Sequence, residues 1–131
     1  MNILLYVGTL VLLPLIDSVW LLSTGALYKK WLAPLFAPTV NFVPVIFFYL
    51  IYAFGVAYFV IAPALRGGRS LSHTLLAGAL FGLVAYATYD LTNNATLRDW
   101  PLRVTFMDMA WGAVLTGLVS VIMLAVLRHF Q

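Results

Sequence analysis

Three aspartates are the residues of this 131-residue chain that are best placed to do chemistry. Asp17, Asp90 and Asp108 each lie inside or at the edge of a long apolar run. An aspartate at the centre of a membrane helix costs about 2.5–3.5 kcal/mol on insertion scales, and less near the interface. Three such residues therefore indicate a specific role, and a carboxyl group that holds a proton beside one that does not can act as acid and base.

The composition identifies the environment of these carboxyl groups. Hydrophobic residues make up 64% of the chain and charged residues 8%, and the mean hydropathy is +1.04. An ordinary soluble domain has about 25% charged residues, and so short a chain has too little interior to bury this much apolar surface. The composition predicts an integral membrane protein.

The same composition excludes several kinds of site. The chain has no cysteine, so disulfides and thiolate metal sites are excluded. His73 and His129 lie near segment ends and form no ligand cluster with each other, so no metal site is predicted and no cofactor is indicated. The seven basic residues form no patch, which argues against a nucleic-acid partner and favours anchoring at the membrane interface.

Four apolar segments predict the elements that position the aspartates. Each is long enough for the roughly 20 helical residues that cross a bilayer core, and each is continuous rather than alternating, which favours helices over a barrel. The linkers are short, and Asp99, just before Trp100 and Pro101, is expected to cap the last helix. The prediction is one all-α transmembrane domain over residues 1–131, a four-helix bundle. Its spans are placed near 3–25, 43–64, 72–92 and 103–127.

This topology brings the three aspartates into one half of the membrane. Asp17 lies in the second half of the first span, Asp90 at the end of the third and Asp108 near the start of the fourth. Small and polar residues recur every four positions on one face of the third and fourth spans, which favours close antiparallel packing within the chain. Asp90 and Asp108 would then lie at similar depth. The recurring residues are Gly78, Gly82, Tyr86 and Asp90, and Asp108, Gly112, Thr116 and Ser120.

Other side chains are expected near these carboxyl groups. Trp20 and Trp111 each follow an aspartate by three residues, which places an aromatic wall beside it, and the second span offers tyrosines as hydroxyl donors. The sequence leaves two orientations possible for the Arg103 side chain, which can point outward to the membrane interface or inward to a carboxylate. Three acids with at most two arginines in a low-dielectric site should hold at least one proton. The predicted cluster is Asp17, Trp20, Tyr86, Tyr89, Asp90, Asn93, Arg103, Asp108 and Trp111, and the expected donors of the second span are Tyr49, Tyr52 and Tyr58.

The blocks "YATYDLTNNATLRDWP" (86–101) and "DMAWG" (108–112) resemble the signature of an uncharacterised bacterial family of small membrane proteins. "IDSVWL" (16–21), "FFYLIYAFGVAYFVIAPAL" (47–65) and "GALFGLVAYATYDLTN" (78–93) resemble its other blocks. The resemblance implies four transmembrane helices in a bacterial membrane, usually the inner one, and no established activity. It implies as motif residues Asp17, Trp20, Tyr89, Asp90, Thr92, Asn93, Thr96, Trp100, Pro101, Asp108, Trp111 and Gly112.

Three functions remain open from the sequence. The first is a site in the membrane that binds a lipid or a small amphiphile, with acid–base chemistry on it. The second is a structural or accessory membrane subunit, and the third is a proton-coupled transporter, because small multidrug exporters are also four-helix chains with a carboxylate where Asp17 lies. The lipid-facing surface leaves room for a homo-oligomer. The basic residues, three on one side against four on the other, do not fix the orientation.

Overall fold

Four long helices make up nearly all of the protein in a computed structural model, which describes residues 1–131. They are α1 (Ile3–Trp31), α2 (Phe42–Arg66), α3 (Leu71–Thr96) and α4 (Leu102–His129). One short 3₁₀ turn, Ala33–Leu35, lies in the linker after α1, and there are no strands. All four helices are long and apolar enough to cross a membrane, which confirms the predicted all-α, four-helix membrane fold.

Three of the helices have an N-cap residue whose side chain accepts a hydrogen bond from a backbone N–H of the first turn. Asn2 accepts a hydrogen bond from the backbone N–H of Leu5 at 2.7 Å, and Asn41 and Ser70 play the same part for α2 and α3. The prediction that Asp99 caps α4 is wrong. Pro101 occupies the N-cap position without a side-chain bond, and Asp99 lies two residues earlier with a positive φ of 62°. The carbonyl of Pro101, which accepts from Val104 at 3.1 Å, begins the helix instead.

The helices continue past the apolar segments from which the spans were placed. α1 runs on to Trp31 and α3 to Thr96. Hydropathy marks only the apolar part of a helix and so misses its polar end. Lys29 and Lys30 lie in the last turn of α1, where their positive charge interacts favourably with the negative end of the helix dipole. Because of these extra turns, Tyr28 and Asn93 are held on helices rather than on loops.

The closest packing in the bundle is between α3 and α4, which run antiparallel. A Cβ atom on Gly82 would overlap the carbonyl oxygen of Gly112, and one on Gly78 would lie 2.6 Å from the hydroxyl oxygen of Ser120. Small residues permit this approach of two backbones, as the four-residue spacing predicted. Gly78 and Gly82 therefore serve contacts within the chain, and the two helices place Asp90 beside Asp108.

A π-helical stretch in α2, Ala57–Ile61, precedes Pro63. Proline has no N–H to donate and its ring crowds the carbonyl four residues earlier, so a regular turn cannot form there. The backbone N–H of Ala62 bonds instead to the carbonyl of Ala57, five residues back, which absorbs the mismatch.

The apolar core fills the half of the bundle that lies away from the aspartates. Most of its largest fully buried apolar side chains come from α1, α2 and α4 and lie toward the start of α1 and the end of α4, with Val104 at the opposite end of α4. The half with the aspartates is less completely filled and contains two cavities. The buried core residues include Leu5, Leu13, Val56, Ile61, Leu115, Val119 and Leu124.

Candidate functional site

A cavity of about 630 Å³ lies between α1, α3 and α4 in the half of the bundle that holds the aspartates. This volume is within the range of roughly 300–1,000 Å³ that is common for small-molecule sites. Aromatic rings form much of its wall, and two carboxyl groups interrupt the apolar surface. The lining residues are Asp17, Trp20, Leu21, Gly25, Ala26, Tyr28, Lys29, Phe36, Tyr86, Asp108 and Trp111.

The cavity is open along one edge. Leu21, Lys29 and Phe36 line it and are themselves exposed, at 54% and 46% for Leu21 and Phe36. Leu21 lies on the apolar length of α1, whereas Lys29 and Phe36 lie at its polar end and in the linker that follows. The opening therefore faces both the lipid-facing side of α1 and the membrane surface near residues 32–41.

Asp17 joins three helices through its carboxylate. Its Oδ2 accepts a hydrogen bond from the hydroxyl of Tyr49 on α2 at 2.5 Å, and its Oδ1 accepts one from the indole N–H of Trp111 on α4 at 2.8 Å. The side chain is buried, with 7% of its surface exposed. Two donors to one carboxylate are what an acid needs to remain in an apolar interior.

Two tryptophans stack to form one wall of the cavity. The rings of Trp20 and Trp111 lie 4.8 Å apart between centroids and are nearly parallel, at 5°. Tyr28 meets Trp20 edge-on at 6.4 Å. The two Asp-x-x-Trp segments thus meet across the bundle, and Trp111 donates to Asp17 rather than to Asp108 of its own segment.

Asp90 and Asp108 form a carboxyl pair behind this wall. Asp90 is fully buried, and neither of its carboxyl oxygens has a hydrogen-bond partner. The carboxyl group of Asp108 is its ionisable neighbour, and this group accepts a hydrogen bond from the hydroxyl of Tyr28 at 3.3 Å. Two carboxyl groups can hydrogen-bond to each other only when one of them carries a proton, so a shared proton would give Asp90 the partner that it lacks.

A second cavity, of about 260 Å³, adjoins the first. Phe48, Ala85 and Tyr89 line it together with Tyr86 and Asp108, which also line the larger cavity. The ring of Tyr86 packs directly against Gly112, where a Cβ atom would overlap it. The side chains of Tyr86 and Asp108 therefore form the partition between the two cavities.

The structure brings five of the nine predicted site residues to the wall of the larger cavity and places four elsewhere. Asp90 lies behind Asp108, and Tyr89, 57% exposed, lines the second cavity. Asn93 is half-buried near the end of α3, where its backbone carbonyl accepts the N–H of Leu97. Arg103 has the outward orientation, because its guanidinium carbon lies 4.6 Å from the centre of the Trp31 ring. The five lining residues are Asp17, Trp20, Tyr86, Asp108 and Trp111.

The sequence predicted part of the hydrogen bonding at the site but not all of the residues that line the cavity. Tyr28 was missed, although it follows Asp17 by eleven residues, about three helical turns, and so shares its face. Of the expected hydroxyl donors on α2, Tyr49 binds Asp17, and Tyr52 pairs with Thr116 at 2.7 Å. Tyr58 is instead 51% exposed. Gly25, Lys29 and Phe36 carried no signal of a cavity.

Comparison with known proteins places the chain in a family without adding a described activity. No curated protein and no solved structure matches it at a significant level. Residues 2–125 match the family described as "Predicted membrane protein (DUF2177)", and this range includes the four helices up to the last turns of α4. The chain therefore belongs to this family of membrane proteins, as the resemblance of its sequence blocks had indicated.

Proposed function

We propose that the larger cavity binds a membrane lipid or another small amphiphile, in the cytoplasmic membrane of a bacterium. The observation that carries this proposal is a cavity of about 630 Å³ with aromatic walls and two carboxyl groups, open both to lipid and to the polar membrane surface. An amphiphile suits such a place, because its apolar part can lie along the rings while its polar part meets Asp17 and Asp108.

The hydrogen bonding at the wall leaves capacity for a ligand. A carboxyl group offers about four acceptor sites. Asp108 uses few of them, since its bond from Tyr28 is long, at 3.3 Å, and it lines both cavities. A hydroxyl or amine on the ligand would supply the missing donor. The reaction class that these groups support is proton transfer to or from that polar group, with a protonated Asp90–Asp108 pair as acid and Asp17 as base.

Filling the cavity tests the proposal without removing a polar group. A Cβ atom on Gly25 would meet no heavy atom within 4 Å, and this position lines the cavity. We expect Gly25→Trp to fold normally and to place an indole where the ligand lies. Native mass spectrometry of the purified protein should then detect a small molecule on the wild type and lose it in this variant.

The matched control is Leu22→Trp, which adds the same ring to a neighbouring residue of α1 that is 87% exposed. This control should retain the bound molecule. The proposal fails if the wild type carries no molecule under any mild extraction, or if Gly25→Trp retains the same molecule as fully as the control does.

A structural role is the second candidate, and the hydrogen bonds of Asp17 favour it. They join α1 to α2 and to α4, so the carboxylate could serve the stability of the bundle alone. This alternative predicts that neither the wild type nor Leu22→Trp holds a small molecule, while alteration of Asp17 lowers the melting temperature. Binding that Gly25→Trp abolishes at an unchanged melting temperature would exclude a purely structural role for the cavity.

A further inference from the structure

We propose that the ligand of the larger cavity is an organic ammonium ion, and that its binding releases the proton held between Asp90 and Asp108. This inference rests on the proposed function of the cavity and names the chemical class of its ligand. Asp90 does not contact the cavity, and this inference gives it a part in binding through its neighbour Asp108.

The wall of the cavity has the composition of a site for an organic cation. Faces of aromatic rings attract ammonium groups, most strongly when water is excluded. The carboxyl groups of Asp17 and Asp108 add negative charge and disfavour an anion. Lys29, the basic residue of the lining, is exposed at the open edge and can remain in water. The aromatic rings that surround the space are Trp20, Tyr28, Tyr86 and Trp111.

The coupling to a proton follows from the position of Asp108. Its carboxyl group lines the cavity and also neighbours Asp90, whose buried oxygens have no hydrogen-bond partner. A buried Asp90 without another donor requires the shared proton while the cavity holds no cation. An ammonium ion at Asp108 supplies positive charge and stabilises the fully ionised pair. One proton then leaves as one positive charge enters, so the net charge of the site is unchanged.

Other ionisable groups also face this pair. The tyrosines among them take little part in proton exchange, because the ordinary pKa of a phenol is about 10. Asp17 remains a second carboxyl group, which already accepts two hydrogen bonds. The neighbouring groups are Tyr28 from α1 and Tyr86 and Tyr89 from α3, with Asp17 and Lys29 of α1 in the lining of the same cavity, whereas Arg103 of α4 is turned outward over Trp31.

Benzyltrimethylammonium is the probe for the test, because its charge is permanent and any proton released must come from the protein. Titration of the protein in nanodiscs, by calorimetry in buffers of different ionisation enthalpy, should show about one proton released for each cation bound. The affinity of the wild type should rise with pH, by up to about tenfold per unit, since cation and proton compete. In Asp90→Asn, whose amide can donate to an ionised Asp108, binding should persist with no proton released and no dependence on pH.

The uncharged isostere neopentylbenzene, in which carbon replaces the nitrogen, separates this inference from the proposed function. Binding of the cation at least tenfold tighter than the isostere supports the ligand class, and equal binding overturns it while leaving an amphiphile site intact. Cation binding without proton release in the wild type, or proton release that persists in Asp90→Asn, overturns the coupling. If neither probe binds, the ammonium class is wrong, and the molecule found by mass spectrometry decides the proposed function separately.

Discussion

Gly82→Ala is expected to lower the free energy of unfolding by about 3 kcal/mol, the upper part of the range for overpacking a tight interior. The added Cβ atom would overlap the carbonyl oxygen of Gly112 and approach the hydroxyl of Thr116. A backbone carbonyl cannot turn aside as a flexible side chain can, so α3 and α4 must separate. Unfolding in mixed micelles with increasing dodecyl sulfate measures the change.

The same separation should also disturb the candidate site. Gly82 lies two turns before Asp90 on α3, and Gly112 lies one turn after Asp108 on α4, so a shift of the helices moves the carboxyl pair apart. The control is Gly25→Ala, whose Cβ would meet no heavy atom within 4 Å. It should be neutral or slightly stabilising, because alanine favours helix more than glycine does. A loss below about 1 kcal/mol for Gly82→Ala would contradict the close α3–α4 contact.

Asp17→Ala should be the other strongly destabilising change, lowering the free energy of unfolding by about 3 kcal/mol. The substitution leaves the hydroxyl of Tyr49 and the indole N–H of Trp111 without their acceptor in a buried place. A hydrogen bond to a charged group contributes about 1.5–3 kcal/mol, although removal of a buried charge offsets part of the sum of two such bonds. Thermal melting in detergent and the dodecyl sulfate titration measure this change.

A double-mutant cycle identifies the bond to Trp111 as a cause of that loss. Trp111→Phe removes the donor and keeps an aromatic ring in the stack with Trp20. If the bond contributes, Asp17→Ala should cost clearly less in the Trp111→Phe background than in the wild type. Equal costs in the two backgrounds would show that Asp17 acts independently of Trp111, and the joining of α1 to α4 would need another account.

The sequence predicted the contacts that follow a regular spacing. Gly78, Gly82 and Asp90 recur every four residues on α3, and a matching row on α4 begins at Asp108, so two adjacent antiparallel helices can pair these rows in few ways. The two rows pair in this manner, but Gly82 packs against Gly112, so Asp90 faces Thr105 about one turn beyond Asp108 instead of lying at the same depth. The class of fold followed equally directly from four continuous apolar runs.

Contacts between helices that are not joined by a short turn could not be predicted in the same way. The hydrogen bonds of Asp17 to Tyr49 and Trp111 depend on how α1, α2 and α4 are rotated about their axes. That rotation cannot be read from the sequence of any one helix alone. The orientation of Arg103 depends on Trp31, which lies 72 positions earlier in the chain. The cavity itself results from small residues such as Gly25 opposite large rings, and so it becomes visible only after packing.

We propose that an amphiphile enters the cavity between α1, α3 and α4, and site-resolved photolabelling can locate it there. An alkyl amphiphile that carries a diazirine is activated in nanodiscs with the protein, and the modified residues are located by peptide mass spectrometry. We expect labels on cavity residues such as Leu21, Tyr86 and Trp111, and excess unlabelled amphiphile should suppress them. The exposed residues Leu22 and Phe106 should be labelled whether or not the competitor is present. Labels confined to the exposed faces, unaffected by competitor, would contradict this proposal.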